Sequence, residues 1–151
     1  MNVNVVSVVM TIIVLASFSA SGAQDGVTVV KLTQTHCQFL ETESVEHHFK
    51  SASAADCEEI NEKTGDKRLA ASSPLRLAAG KYIFRVTNRD VPYSLGFWMR
   101  GQGVQRAFLP SVSGGGLATG TSKDYAIELK PGKYYFSCPL NPTLDYELLV
   151  D

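Results

Sequence analysis

Alternating apolar residues near the C-terminus restrict the fold of this chain more than any other feature. Two stretches have an apolar residue at every second position: Tyr134, Phe136 and Cys138, then Tyr146, Leu148 and Val150. A period of two is typical of a β-strand that buries one of its faces. The segment from Lys130 to Val150 therefore predicts two strands joined by a loop. The thiol of Cys138 would end the first of them on its core-facing side.

Similar patterns upstream predict that this hairpin belongs to a β-sandwich. Alternation recurs at 81–87 and 124–130, and a β-rich stretch at 27–32 is predicted to be the first strand. The segments Leu77–Phe84 and Leu129–Phe136 also resemble each other, since both pass through Gly-Lys-Tyr into an aromatic strand. Glycine permits the positive φ that such a turn can need. Two equivalent corners favour an all-β, Greek-key sandwich of seven or eight strands.

One stretch, from Ser53 to Gly65, has a helical pattern instead. Ser53 and Asp56 have the spacing of a capping box, and Gly65 suits a C-terminal stop. Three small or apolar residues recur at every third position: Ala54, Cys57 and Ile60. We predict a short helix over about 54–64 whose apolar face docks on the sandwich. It would lie in an insertion of about residues 44–72, after the first strand.

The first 23 residues are predicted to be a secretory signal peptide. An apolar run from Val5 to Phe18 precedes Ser21-Gly22-Ala23, which fits a small-x-small cleavage site. A membrane anchor is the alternative, but the run is short for a spanning helix, and no later segment could span a membrane. The mature domain would then be residues 24–151, in the periplasm or secreted, where disulfides are allowed.

Charge and motif content exclude several functions. The net charge is −1, with 14 basic and 15 acidic residues interleaved, which argues against a nucleic-acid partner. The Gly- and Ser-rich stretch 101–121 lacks the Gly-Lys-Ser/Thr ending of a phosphate-binding loop, so we expect a flexible loop there. No nucleophile-elbow context is present, and we expect no catalytic residues and no enzyme activity. Phe97 and Trp98 are expected in the core.

From Val27 to Asp151 the chain resembles the cupredoxin family. That family is a Greek-key sandwich that usually carries one copper, bound by a Cys after an aromatic strand and by two His residues. Cys138 matches the family's Cys, whereas Tyr93 and Asn141 stand where the two His residues would be. A blue-copper centre needs two imidazoles and one thiolate. The resemblance therefore implies degenerate ligand positions, and type 1 copper electron transfer is only our third hypothesis.

A narrower resemblance is to the cupredoxin-like domain of periplasmic ferrous-iron-uptake proteins of the EfeO type. There a Cys ends the first strand, and a second Cys follows a Pro-Gly-x-Tyr strand. Cys37 and Cys138 match these two positions. That family also has acidic residues after its Asn turn, whereas the corresponding segment here, 93–98, has no carboxylate. The resemblance implies handling of copper or, less favoured, iron.

The predicted metal site joins Cys138 to an imidazole from His47 or His48. These histidines lie on a loop long enough to reach Cys138, and a shielded thiol with a single imidazole suits Cu(I). Three carboxylates flank the pair and could add oxygen ligands: Glu41, Glu43 and Glu46. The alternatives are that Cys138 is simply a small buried residue and that the histidines are a solvated pair.

Three cysteines follow the signal peptide, so at most one internal disulfide can form. We predict that Cys37, at the end of the first strand, pairs with Cys57 on the predicted helix, which leaves Cys138 as a thiol. A bridge between Cys37 and Cys138 is the main alternative.

The function that we predict is copper binding or handling at a non-standard Cys-containing site. Its partner would be a metal ion or a periplasmic protein. The alternative is a metal-free sandwich that serves as a binding or assembly module, through its Gly-rich loop or its Tyr and Trp surface.

Overall fold

The computed structural model describes residues 26–151, so the predicted signal peptide lies outside the described residues. Nine strands, one α-helix and one 3-10 helix make up the described part. The strands are β1 Thr28–Thr35, β2 Gln38–Phe39, β3 Leu75–Leu77, β4 Gly80–Asn88, β5 Leu95–Gly101, β6 Val112–Leu117, β7 Ser122–Leu129, β8 Gly132–Ser137 and β9 Tyr146–Val150. The helices are α1 Ala54–Ala71 and the 3-10 helix Gly103–Ala107. Neither of these helices is long and apolar enough to cross a membrane.

Two mixed sheets form the sandwich. The first has the strand order β2-β1-β4-β7, and the second has the order β3-β9-β8-β5-β6. Strand β1 runs parallel to β4, and β3 runs parallel to β9, while β8 is antiparallel to both β5 and β9. The alternating residues predicted in β8 and β9 are all buried. Four aromatic rings, with centroids 5.4–6.2 Å apart, pack at the centre of the core: Phe39, Phe97, Phe136 and Tyr146.

The two Gly-Lys-Tyr corners have the same backbone conformation, as their sequences suggested. Gly80 has a φ of 157° and Gly132 a φ of 155°, and each begins a strand. At Gly132 a Cβ would also lie 2.7 Å from a methyl carbon of Leu109. Both positions therefore need glycine, and Gly132 needs it for space as well.

Helix α1 is longer than predicted, and its inward face is polar rather than apolar. The predicted capping box of Ser53 and Asp56 is present. Gly65, however, lies inside the helix, and a Cβ there would be 3.0 Å from Leu144, so this glycine permits close packing and does not end the helix. The buried residues of α1 are Cys57, Gly65 and Arg68. The helix is thus fixed to the sandwich by a disulfide and hydrogen bonds, and not by an apolar stripe.

The prediction of a flexible Gly-rich loop was wrong. Gly114, Gly115 and Gly116 lie in β6, which pairs with β5. A Cβ at Gly96 of β5 would be 2.8 Å from the carbonyl oxygen of Gly114, so glycine permits the close approach of these strands.

The core prediction is right for Phe97 and wrong for Trp98. Phe97 is buried between the sheets, whereas Trp98 is half-buried on the opposite face of β5. The guanidinium carbons of Arg100 and Arg106 lie 3.9 Å and 4.9 Å from the centroid of its ring.

Candidate functional site

Cys138 directly follows β8, and its thiol is buried at one end of the sandwich. The sulfur accepts hydrogen bonds from the backbone N–H groups of Gly96 and Asn141, each at 3.3 Å. Burial raises the pKa of the thiol above its ordinary value, although the N–H groups of Gly96, Asn141 and Leu140 partly oppose this. The resting group is therefore a protonated thiol, with donors already in place for a thiolate.

Asn141 connects the loop after Cys138 to the end of β1. Its Oδ1 accepts hydrogen bonds from the N–H of Cys37 and the O–H of Tyr93, both at 3.1 Å. Its Nδ2 donates to the carbonyl oxygen of Thr35 at 3.0 Å. The residue is fully buried, and both lone pairs of Oδ1 are in use. Asn141 therefore acts as a brace between two segments.

Tyr93 is the other position where the resemblance places an imidazole, and its hydroxyl hydrogen-bonds to Asn141 Oδ1. Besides its bond to Asn141, its hydroxyl lies 3.0 Å from Ser51 Oγ and 3.9 Å from Cys57 Sγ. Burial raises the pKa of Tyr93 above its ordinary value, so the hydroxyl is a neutral donor. The two positions at which the resemblance places imidazoles thus lie side by side, and their side chains hydrogen-bond to each other.

The structure joins Cys37 to Cys57 by a disulfide, which is the predicted pairing, and leaves Cys138 as a free thiol. Both bridged cysteines are fully buried. Cys57 Sγ lies 3.1 Å from Asn141 Oδ1. Because a disulfide sulfur carries no hydrogen, this is a packing contact. The disulfide therefore ties the helical insertion to the end of the sandwich where Cys138 lies.

Gln34 is a residue of this region that sequence reasoning missed. It is fully buried, and its Nε2 donates to the carbonyl oxygen of Gly96 at 2.8 Å. Gly96 is also the residue whose N–H binds Cys138. The Oε1 of Gln34 has no hydrogen-bond partner, which costs about 1–3 kcal/mol for a buried acceptor. The available signal was a glutamine on the same strand face as the buried Leu32.

His36 is the histidine that hydrogen bonds link to Tyr93 and Asn141. It is buried, and its Nδ1 accepts a hydrogen bond from the N–H of Ser51 at 2.9 Å. The hydroxyl of Ser51 in turn lies 2.8 Å from Nδ1 and 3.0 Å from the hydroxyl of Tyr93. His36 supports the Tyr93 hydroxyl through Ser51, and its Nδ1 is occupied.

His47 and His48, the predicted ligands, contact other groups. The Nε2 of His47 lies 2.7 Å from Glu43 Oε2, and its ring stacks on Phe49 with 5.0 Å between centroids. His48 is exposed and lies 3.7 Å from a carboxylate oxygen of Glu46. Within residues 26–151, no three His, Cys, Asp or Glu side chains are grouped so that they could hold a metal ion. The structure does not assemble these histidines with Cys138.

Glu43 belongs to a buried ion pair with Arg68. Arg68 donates to both carboxylate oxygens, at 2.9 Å and 2.6 Å, and the hydroxyl of Tyr146 donates to the same carboxylate. Arg68 also donates to the carbonyl oxygen of Cys37 at 2.9 Å. Glu43 therefore stabilises the insertion next to the disulfide.

The fold is similar to that of auracyanin B, with a TM-score of 0.51 and 12% identity over 82% of this chain and 88% of that chain. Another similar structure is auracyanin A, a "blue" copper protein from the green thermophilic photosynthetic bacterium Chloroflexus aurantiacus. Its TM-score is 0.45, with 13% identity over 83% of this chain and 100% of that chain. No protein-family model and no curated protein matches the chain. The similarity to auracyanin B supports a cupredoxin-like fold and nothing finer.

Proposed function

We propose that this is an exported cupredoxin-like protein that binds copper, as Cu(I), at the end of the sandwich where Cys138 lies. The observation that carries the proposal is the buried thiol of Cys138, whose sulfur accepts two backbone N–H groups. Thiolate sulfur is a soft ligand and selects Cu(I) over hard cations. Iron is less favoured, because the hydrogen-bond partners of Cys138 Sγ are backbone N–H groups and not carboxylates. The Greek-key connectivity, the periplasmic location and the relation to iron-uptake domains belong to the same proposal.

The residues around Cys138 do not fit a type 1 copper centre. Such a centre takes two imidazoles together with the thiolate. Here the phenol of Tyr93 and the amide of Asn141 occupy those positions and bind each other. Moreover, Asn141 Oδ1 already accepts two hydrogen bonds. Electron transfer through a blue-copper centre is therefore not part of the proposal.

The chain itself would exclude water from the ion and control the proton on sulfur. Cys138 is buried, and burial raises the pKa of its thiol, so binding must release a proton. The N–H groups of Gly96 and Asn141 would then stabilise the thiolate. The affinity for Cu(I) is therefore expected to fall as the pH falls below the pKa of the thiol.

The test is a Cu(I) competition titration of the mature chain with a chromophoric chelator, in oxygen-free buffer with ascorbate. Cys138→Ser should weaken binding at least about tenfold, or about 1.4 kcal/mol. The double variant His47→Ala/His48→Ala is the control, because these rings contact Glu43 and Glu46. It should bind as the wild type does. Equal binding by the wild type and Cys138→Ser would refute the metal proposal.

A metal-free binding module is the second candidate, and a different surface favours it. Trp98 lies half-buried on the outer face of β5, and the guanidinium groups of Arg100 and Arg106 lie against its ring. Arg100 is buried and paired with Asp145, at 2.7 Å, whereas Arg106 is exposed. A partly exposed aromatic ring beside an exposed arginine suits a protein partner. If no variant binds copper, this function becomes the better explanation.

A further inference from the structure

The three cysteines of the domain lie at one end of the sandwich. One residue there contacts both a disulfide sulfur and the free thiol. Asn141 contacts the disulfide sulfur of Cys57 through Oδ1, at 3.1 Å, and the free thiol of Cys138 through its N–H, at 3.3 Å. The Tyr93 hydroxyl also lies 3.9 Å from Cys57 Sγ. The disulfide thus borders the two positions at which the resemblance places imidazole ligands.

We propose that the Cys37–Cys57 disulfide is a redox gate for the copper site, and that reduced Cys57 binds one Cu(I) together with Cys138. This inference rests on the proposed function. A dithiol reductant donates two electrons, the sulfur–sulfur bond breaks, each sulfur takes a proton, and the reductant becomes a disulfide. Cu(I) then displaces the thiol protons of Cys57 and Cys138, and two protons are released.

The oxidised protein offers a poor donor set. A disulfide sulfur carries no charge, and thiolates are the ligands that Cu(I) prefers. Only one sulfur of the site, that of Cys138, can then become a thiolate. Reduction supplies a second one, on Cys57, whose sulfur contacts the side chain of the same Asn141 that binds Cys138 through its N–H. The gate therefore changes the number of thiolates from one to two.

Gln34 contributes an independent observation at this end of the core, a buried acceptor without a partner. Its Oε1 is fully buried without a hydrogen-bond partner, while its Nε2 is held by the carbonyl oxygen of Gly96. The N–H of Gly96 binds Cys138, so Gln34 and the free thiol share a neighbour. A buried acceptor without a partner is rare in a folded core and is compatible with a further polar group at this end of the sandwich.

Reduction would leave Cys57 in place, because α1 is also held to the sandwich by other contacts. Asn61 donates from Nδ2 to the carbonyl oxygen of Pro142 at 2.6 Å. Arg68 forms the buried ion pair with Glu43. These contacts keep Cys57 against Asn141, the residue whose N–H binds Cys138, once the sulfur–sulfur bond is broken.

A matched pair of variants tests the inference. Cys37→Ser and Cys57→Ser both remove the disulfide, but the first leaves the Cys57 thiol and the second does not. Cu(I) competition titrations should show that Cys37→Ser and dithiol-reduced wild type bind at least about 100-fold more tightly than oxidised wild type. Cys57→Ser should bind as weakly as oxidised wild type. Circular dichroism and a thiol count, which rises from one to three on reduction, check folding and redox state.

The outcomes separate this inference from the proposed function. If oxidised and reduced wild type bind equally and Cys138→Ser weakens both, copper binds at Cys138 and the gate is refuted. If Cys57→Ser binds as tightly as Cys37→Ser, Cys57 is not a ligand and the inference is also refuted. If no form binds Cu(I), or if Cys138→Ser binds as the wild type does in both redox states, the proposed function is refuted as well.

Discussion

Replacing Arg68 with Met should destabilise this fold more than removing the charge of an exposed arginine does. The side chains of Arg68 and Glu43 are only 4% and 3% exposed. Met keeps much of the apolar length of Arg68 and leaves Glu43 buried without its countercharge. Breaking a buried ion pair in this way costs about 3–5 kcal/mol of unfolding free energy.

The other hydrogen bonds of Arg68 place the expected loss in the upper part of that range. Arg68 donates to the carbonyl oxygen of Cys37 at 2.9 Å and to Asn61 Oδ1 at 2.7 Å. The substitution leaves the buried carbonyl oxygen without this donor, and an unsatisfied buried acceptor costs about 1–3 kcal/mol. The contacts that the substitution removes all lie at the junction between α1 and the sandwich.

Urea unfolding of the disulfide-intact protein measures the effect, with far-UV circular dichroism and the fluorescence of Trp98, the only tryptophan. The control is Arg85→Met. Arg85 makes two 2.8 Å hydrogen bonds to Asp124, but these side chains are 46% and 43% exposed. An exposed pair contributes about 0–1 kcal/mol. Equal losses in Arg68→Met and Arg85→Met would refute the reasoning.

The loss should also depend on pH. Burial acts to raise the pKa of Glu43, but hydrogen bonds from Arg68, Tyr146 and His47 and the charge of Arg68 outweigh it. The pKa therefore lies below its ordinary value of 4.5. A lowered carboxyl pKa stabilises the fold above the pKa of the unfolded state, and this stability is lost as the pH falls through the folded pKa. In Arg68→Met, burial would raise the pKa of Glu43, so the destabilisation should be smaller at about pH 4 than at neutral pH.

Three further predictions concern the corner glycine and the thiol. Gly132→Ala should lower the free energy of unfolding by about 1–3 kcal/mol, because its Cβ would lie 2.7 Å from a leucine methyl carbon. Gly26→Ala is the control and should be neutral, because nothing lies within 4 Å of its Cβ position. Equal effects of the two substitutions would contradict the clash. Cu(II) should give no intense band at ~600 nm, because Tyr93 and Asn141, and not imidazoles, stand where the resemblance places the two His ligands; a blue colour that disappears in Cys138→Ala would contradict this. A thiol reagent at neutral pH should modify Cys138 in the native protein at least about 100-fold more slowly than in the unfolded chain, because burial shields the thiol and raises its pKa. Equal rates would show that the thiol is accessible.

Local patterns predicted the strands and the cysteine pairing well. Period-two alternation is a direct consequence of strand geometry, so the inward face of β8, with Tyr134 and Phe136, could be predicted from spacing alone. The disulfide followed from placing Cys57 on a helix and Cys37 at the end of a strand. In both cases the signal lies within a few residues of the feature that it predicts.

Long-range polar contacts could not be predicted in this way. Asn141 binds Cys37, which is 104 residues away, and Arg68 binds Glu43, which is 25 residues away. Neither pair has a local signal, so Glu43 counted only as one of three carboxylates that could add oxygen ligands, and α1 was predicted to dock through an apolar face. Gly65 was predicted to end the helix because glycine is common at helix ends. Its actual role, close packing against Leu144, depends on a contact that local sequence does not reveal.

The amide of Asn141, at a position where the resemblance places an imidazole, connects the disulfide to the environment of Cys138. Asn141 accepts from the N–H of Cys37, donates to Thr35, and donates its own N–H to Cys138. Neutral imidazole has one donor and one acceptor nitrogen, so a histidine there could not accept from both Cys37 and Tyr93 while it also bound a metal. Because the amide serves as a brace, the proposed Cu(I) site would take its second ligand from elsewhere. Cys57 Sγ lies 3.1 Å from Asn141 Oδ1, and it becomes a thiol only when the disulfide is reduced.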